Sequence, residues 1–242
     1  MCNSCENSFP NGGGYLPRRR FLALLSATLS SPLALRAAGK GPPPKPQNVV
    51  SADEALNRLM IGNSAYVRGT MRRHNFAAQR AALAKGQNPF AAILSCADSR
   101  VGPEYIFDTG LGDLFVCRVA GNFANDDVIA SFEYALSALG TPLIFVLGHQ
   151  ACGAVDATIK QIKSGTSSPG HIPSLTEALT PAVNSASKSP GDLLANAIKE
   201  NVLLTVQKLQ TTEPILSDAV SQKRLRIVGG IYNLHTGKVD LV

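Results

Sequence analysis

The 242-residue sequence lacks tryptophan and contains no long run of lysine or arginine. Its net charge of +6 falls to +3 without residues 1–38, because that segment holds four arginines and one glutamate. Proteins that grip nucleic acid through its phosphates usually carry a concentrated basic surface. The missing tryptophan excludes no function by itself, but the weak and scattered charge argues against nucleic acid as the main partner.

Cysteine is also scarce, and its distribution excludes a disulfide framework. Two of the five cysteines, Cys2 and Cys5, precede an apolar stretch near the N-terminus, which leaves Cys96, Cys117 and Cys152. An odd number of cysteines is not typical of a small secreted scaffold held together by disulfides. Cys117 lies within an apolar run, so we expect it to be a small buried hydrophobic residue. The other two are candidates for metal binding.

Residues 1–38 have the composition of a targeting segment. Arg18, Arg19 and Arg20 precede an apolar stretch at 21–35, and small residues follow it. This order is typical of a secretory signal, and paired arginines before the apolar stretch resemble the twin-arginine type. The stretch is shorter than the ~20 residues that span a bilayer comfortably, although an uncleaved anchor is the alternative. We therefore predict export to the periplasm, or to an equivalent extracytoplasmic space, with cleavage near Ala38.

The rest of the chain divides into a short linker and one domain. Residues 39–50 are rich in proline and predict an extended linker. Residues 51–242 are long enough to bury one sizeable core. Within them, short apolar runs alternate with helix-length amphipathic stretches, which predicts an α/β domain with a mostly parallel β-sheet flanked by helices. The last two apolar runs flank 235–237 and predict a hairpin that adds an antiparallel edge strand at the C-terminus.

The individual elements follow from hydrophobic periodicity, caps and breakers. A capping-box pattern starts the first helix at Ser51. The predicted strands are 90–97, 114–119, 142–147, 225–232 and 238–242. The predicted helices are 51–60, 74–85, 103–107, 124–139, 151–163, 174–186, 192–210 and 213–221.

Two of the predicted strands end in residues that can bind a metal. Cys96, Asp98 and Arg100 follow the first strand, and His149 and Cys152 follow the third. In an open parallel sheet, ligands collect beyond the carboxyl ends of the strands. Two thiolates and an imidazole are typical zinc ligands, and three protein ligands leave one position for chemistry. The alternative is two buried cysteines, a core histidine and a surface ion pair.

Longer motifs around these residues resemble those of the β-class carbonic anhydrases, in particular the plant-like members with an open metal site. The matching segments are 96–104, 118–122, 133–134, 148–154 and 230–238, and the similarity extends over about residues 50–242. The resemblance implies that this domain is the catalytic domain of an enzyme with one Zn²⁺ per chain. Its reaction would be the reversible hydration of carbon dioxide to bicarbonate and a proton.

The resemblance also implies a role for each residue that matches a family motif. Cys96, His149 and Cys152 match the zinc ligands, while Asp98 and Arg100 match a catalytic dyad. Asp98 either orients the attacking water or becomes the fourth zinc ligand in a closed form of the site. Four further positions match the substrate pocket of the plant-like members, namely Gln87, Phe115, Tyr134 and Gly153. The alternative is that Phe115 and Tyr134 are core residues, as their periodicity suggests, and that Gln87 is an ordinary polar residue of a loop.

Two other functions fit the same motifs. One is a hydrolase for CS₂ or COS, which are linear molecules like carbon dioxide. The other is a zinc- or bicarbonate-binding protein without turnover. The Asp98–Arg100 dyad argues against this function, because a purely structural zinc site needs no carboxylate beside the metal. The resemblance further implies a homodimer or a higher homo-oligomer. In that assembly the helix at 51–60 would pack on a neighbour, and the pocket would lie at the interface between subunits.

Overall fold

The five strands of the protein form a single sheet in a computed structural model that describes residues 50–242. The predicted signal segment and all but the last residue of the predicted linker lie outside the described residues. The strand order is β2-β1-β3-β4-β5. The strands are β1 (Ala91–Ser95), β2 (Leu114–Arg118), β3 (Leu143–His149), β4 (Arg226–Tyr232) and β5 (Val239–Leu241).

The pairing of the strands confirms the predicted fold class. β1 pairs in parallel with both β2 and β3, and β3 pairs in parallel with β4. β5 alone runs antiparallel, against β4, and closes the sheet at the C-terminal edge. The carboxyl ends of β1, β2 and β3 therefore meet at the same edge of the sheet.

The helices flank this sheet and most of them begin or end at recognisable signals. Four of them start after a polar side chain that accepts a backbone N–H three residues later: Ser51, Asn75, Asn125 and Asp192. Within residues 50–242, no helix is both long and apolar enough to cross a membrane. The helices are α1 (Ala52–Val67), α2 (Phe76–Leu83), α3 (Pro103–Ile106), α4 (Asp126–Ser137), α5 (Gly153–Ser164), α6 (Ile172–Ala186), α7 (Leu193–Thr211) and α8 (Ile215–Ser221).

Alternate residues of the central strands enter cores on opposite faces of the sheet. Leu94 and Val146 belong to a cluster with residues of α4, α7 and α8. Ile93 and Phe145 belong to a second cluster that includes residues of α1 and α3. Because side chains alternate along a strand, helices cover both faces, as the apolar character of β1 and β3 requires.

Helix α1 packs on its own chain. Ala55 and Leu59 are completely buried and join the cluster around Phe107 and Phe145. A Cβ on Gly62 would lie 1.8 Å from the carbonyl oxygen of Phe107, so only glycine permits this approach. Helix α1 thus buries part of its apolar surface within the chain, whereas Ile61 and Val67 on the same helix stay exposed. The packing of this helix on a neighbouring subunit therefore stays a prediction.

Helix α7 lies close to the sheet because two glycines make room for Val202. A Cβ on Gly148 would lie 2.6 Å from Val202 Cγ2, and a Cβ on Gly229 would lie 2.4 Å from Val202 Cγ1. Val202 itself is fully buried. The space above Gly148 in β3 and Gly229 in β4, here called the slot, fixes the position of α7 along the sheet. It lies near the end of β3, which carries His149.

Candidate active site

Three potential metal ligands meet at the carboxyl edge of the sheet. Cys96 directly follows β1, His149 is the last residue of the neighbouring β3, and Cys152 immediately precedes α5. Their ligand atoms all lie within 4.8 Å of one another, and all three residues are buried. The sheet therefore brings together residues that are as many as 56 positions apart in the chain.

The geometry of this cluster fits a tetrahedral zinc ion. Cys96 Sγ and Cys152 Sγ are 3.9 Å apart. Two sulfurs at the usual Zn–S distance of about 2.3 Å lie roughly 3.8 Å apart in a tetrahedral site. His149 Nδ1 donates to the carbonyl oxygen of Gln150 at 2.9 Å, whereas its buried Nε2 has no hydrogen-bond partner. A metal ion would satisfy that nitrogen, and a backbone partner on the other nitrogen is typical of a ligating histidine.

The surroundings of the two thiols favour a shared negative charge. A hydrogen bond between the side chains of Cys96 and Cys152 lowers the pKa of Cys96 and raises that of Cys152. The backbone N–H of Gly121 also donates to Cys96 Sγ, at 3.3 Å. Because the thiolate is the form that binds metal, the site already stabilises one of its two sulfur ligands as an anion.

Asp98 and Arg100 form a closely matched ion pair beside the cluster. Arg100 Nε donates to Asp98 Oδ1 at 2.9 Å, and Arg100 Nη2 donates to Asp98 Oδ2 at 2.7 Å. These hydrogen bonds hold the pKa of Asp98 well below its usual range. Asp98 Oδ2 lies 3.9 Å from His149 Nε2, but the carboxylate is not part of the three-residue group that can hold a metal.

Arg118 supports the same loop, although we assigned it no role from the sequence. Its Nε donates to the carbonyl oxygen of Cys96 at 3.1 Å, and its Nη2 donates to that of Asp98 at 2.8 Å. Arg118 is the last residue of β2 and pairs with Ser95 at the end of β1. The sequence signal for Arg118 is its position as a charged residue at the end of an apolar strand, next to the strand that leads to Cys96.

The four predicted pocket residues are not all near the cluster within one chain. Gly153 directly follows Cys152, and a Cβ built on it would face open space. Gln87 is exposed and precedes the amino end of β1. Phe115 pairs with Ala92, four residues before Cys96, which corresponds to about 13 Å of strand.

Tyr134 lies at the same distant end as Phe115. It is exposed on α4, and its ring centroid is 6.3 Å from that of Phe115. Gln87, Phe115 and Tyr134 therefore belong to the amino half of β1 and β2, whereas the metal cluster and Gly153 belong to the carboxyl edge.

Comparison with known proteins identifies the family. A family model described as carbonic anhydrase matches residues 91–239, which include β1 to β4, the first residue of β5 and all three potential metal ligands. The solved structure of the β-carbonic anhydrase CcaA has 31% sequence identity and a TM-score of 0.60, and the alignment covers 77% of this chain and 98% of that one. The chain belongs to the β-carbonic anhydrase family.

Curated relatives agree with this assignment over most of the chain. Carbonic anhydrase 2 of Mycobacterium tuberculosis is 38% identical over 195 residues, which are 80% of this β-carbonic anhydrase and 93% of the relative. The carbonic anhydrase of Mycolicibacterium smegmatis is 36% identical over 188 residues, or 77% and 91% of the two chains. The protein is therefore an enzyme, a carbonic anhydrase that interconverts carbon dioxide and bicarbonate.

Proposed function

We propose that this carbonic anhydrase is a zinc enzyme whose Cys96, His149 and Cys152 hold one Zn²⁺ per chain. The observation that carries the proposal is the buried, mutually adjacent set of two sulfurs and one unpartnered imidazole nitrogen. This set of donors favours zinc over the harder divalent cations, which prefer oxygen ligands. Three protein ligands also match the number found in catalytic zinc sites, where one position serves the reaction.

The residues next to the cluster complete the chemistry of hydration. A bound zinc ion would supply Lewis acidity and lower the pKa of a coordinated water to about 7. Asp98, which Arg100 holds in a fixed orientation, would accept a hydrogen bond from the attacking water and direct its lone pair toward the carbon of CO₂. Arg100 occupies both carboxylate oxygens, so it also holds Asp98 away from the metal ligands. This arrangement supports an open site rather than one closed by Asp98.

The two alternative functions receive no support from the relatives. The matched relatives described above are named carbonic anhydrases, and none of those names mentions CS₂ or COS. A zinc-binding protein without turnover would not require a carboxylate held in a fixed orientation beside the cluster. The hydration of carbon dioxide is thus the function that the site supports best.

Stopped-flow hydration of CO₂ tests the proposal when it is combined with metal analysis. The purified protein should contain about one zinc per chain and turn over CO₂ near neutral pH. Asp98→Asn should retain the zinc and lose most of the activity. Asp240→Asn, which removes a carboxylate paired with Lys238 on the exposed edge strand, should change neither. Full zinc occupancy in the wild-type protein without turnover from pH 7 to 9 would contradict the proposal.

The active enzyme is, by our proposal, a homodimer or a larger homo-oligomer. Gln87, Phe115 and Tyr134 lie at the end of the sheet opposite the cluster, so they would line a pocket only by facing the cluster of a second copy. Apolar side chains also line an exposed cleft of about 530 Å³, and contiguous apolar surface of this kind marks protein contacts. The exposed apolar residues of this cleft are Met71, Phe76, Tyr105 and Leu111.

Export through a twin-arginine signal is also part of the proposed function. It is supported by the order of Arg18, Arg19, Arg20 and the apolar stretch at 21–35. Cell fractionation should find the protein outside the cytoplasm, with an N-terminus near residue 39. Replacement of the three arginines by lysine should retain it in the cytoplasm. An unprocessed cytoplasmic wild-type protein would contradict export.

A further inference from the structure

The Cys96 sulfur receives a hydrogen bond from a loop that has little room to move. Gly121, which follows β2, donates its backbone N–H to Cys96 Sγ at 3.3 Å. Its φ of +87° lies in the region that favours glycine. A Cβ there would also lie 2.8 Å from Leu179 Cδ1. The identity of Gly121 is therefore set by its backbone conformation and by the packing of α6.

A side chain from a helix distant in sequence binds the carbonyl group of Gly121. Asn201, on α7, donates through Nδ2 to the carbonyl oxygen of Gly121 at 2.7 Å. Asn201 is 4% exposed, so this hydrogen bond is made away from solvent. The amide of Gly121 contacts the sulfur and its carbonyl contacts Asn201, so the two hydrogen bonds together restrain both peptide groups of the residue.

The packing of α7 explains why Asn201 is in the right place. The next residue, Val202, fills the slot formed by Gly148 and Gly229. That contact fixes the position of α7 along β3 and β4. Since Asn201 and Val202 are adjacent in the same helix, the slot also determines where the amide group of Asn201 reaches the loop.

We infer that Asn201 is a positioning residue for the Cys96 thiolate, and that it acts through Gly121. The hydrogen bond to Gly121 aims the Gly121 N–H at the sulfur, and this N–H in turn fixes the direction and basicity of the ligand. Partners of this kind around a metal site typically change metal affinity about 10- to 100-fold when they are removed. The inference rests on the proposed zinc site.

The rate of metal release tests this inference without relying on activity. Asn201→Leu removes the donor and keeps most of the volume, while Asn201→Ala removes the donor without adding branched bulk. Both zinc-loaded variants should release zinc to a chromophoric chelator about 10- to 100-fold faster than the wild type. After replacement of zinc by cobalt, the sulfur-to-metal absorption band should shift in both.

The same helix provides a matched control. Asn196 donates through Nδ2 to the carbonyl oxygen of Pro190 at 3.0 Å, outside the metal cluster. Asn196→Ala should therefore leave zinc release and the cobalt spectrum unchanged. A purely structural role for Asn201 would lower the unfolding temperature while release and spectrum stay at wild-type values, and this result would overturn the inference. A wild-type protein that holds no zinc would contradict the proposed function itself, and the inference with it.

Discussion

Arg100 holds Asp98 through both carboxylate oxygens and, in addition, through its own backbone N–H, which donates to Asp98 Oδ1 at 2.9 Å. The pKa of Asp98 is consequently depressed well below the usual ~3.9. A carboxyl group with a depressed pKa is ionised at and above neutral pH and is protonated only in strong acid. Arg100 therefore contributes more to the position of Asp98 near pH 7 than to its charge.

Replacement of Arg100 by alanine separates these two effects. The pKa of Asp98 should return toward its usual value, which still leaves the carboxylate ionised from pH 6 to 9. Because the carboxylate loses its fixed orientation, kcat/KM should fall about 100-fold at every pH in that range. The shape of the pH profile should remain as in the wild type. Stopped-flow hydration measured across the range checks both expectations.

Arg226 offers the control for this variant. Arg226 forms an exposed ion pair with Asp53, far from the metal cluster in the fold. Arg226→Ala should keep wild-type turnover, since isolated surface pairs contribute little. If Arg100→Ala instead moved the acidic limb of the profile upward without lowering the rate at pH 9, charge rather than position would be the role of Arg100.

The cysteines should differ sharply in their effect on zinc content. Cys152→Ser removes a predicted ligand and should reduce bound zinc well below one per chain, as measured by elemental analysis after gel filtration. Cys117, on β2, pairs in register with Leu94 on β1, and burial raises its pKa, which disfavours the thiolate form that binds metal. Cys117→Ala should keep full zinc and activity. Equal zinc loss in both variants would contradict the assigned ligands.

Most of the fold could be predicted from the sequence because its strands and helices obey simple periodicities. The main differences between the predicted and observed elements arise where a glycine lies inside a helix or strand instead of ending it. We placed the end of β3 at 147, yet it continues through Gly148 and His149, which pair with Ile231 and Tyr232. Gly148 is needed for the contact with Val202 rather than as a strand breaker. No local pattern reveals a contact that depends on a distant helix.

The metal cluster was predictable for a different reason from the residues that support it. Cys96, His149 and Cys152 are recognisable because their side chains themselves have metal-binding chemistry. Arg118 and Asn201 act on carbonyl oxygens of the backbone instead. Because every residue has a backbone carbonyl, the sequence does not show which carbonyl group Arg118 or Asn201 binds. These supporting contacts emerge only when the chain is folded.

Asn63 should be a major contributor to stability. Its side chain, 3% exposed, donates to the carbonyl oxygens of Ile106 and Gly237 and accepts the N–H of Val239. It thereby ties α1 to α3 and to the C-terminal hairpin. Asn63→Leu would leave three buried backbone groups without partners, so the free energy of unfolding should fall by about 3 kcal/mol.

Thermal unfolding measures this effect. A loss of that size should lower the unfolding temperature by roughly 10 °C for a domain of this length. Asn57 is exposed on the same helix and provides the control. Asn57→Ala should remain within about 2 °C of the wild type. If the two variants unfolded at the same temperature, the three hydrogen bonds of Asn63 would not be contributing to stability.

Complementation between variants should show whether Gln87 acts on a neighbouring subunit. Gln87→Leu keeps its own metal cluster, and Cys152→Ser keeps its own Gln87, so each variant alone should be strongly impaired. In a mixed dimer, one of the two sites would combine an intact cluster with an intact Gln87. Random mixing of the two chains should therefore restore about a quarter of the wild-type sites. Cys152→Ser mixed with Asp98→Asn should restore none. Each of these changes impairs the cluster of its own chain, and the other chain cannot replace the missing group. Absence of recovery in purified mixed oligomers of the first pair would place Gln87 outside the neighbour's pocket.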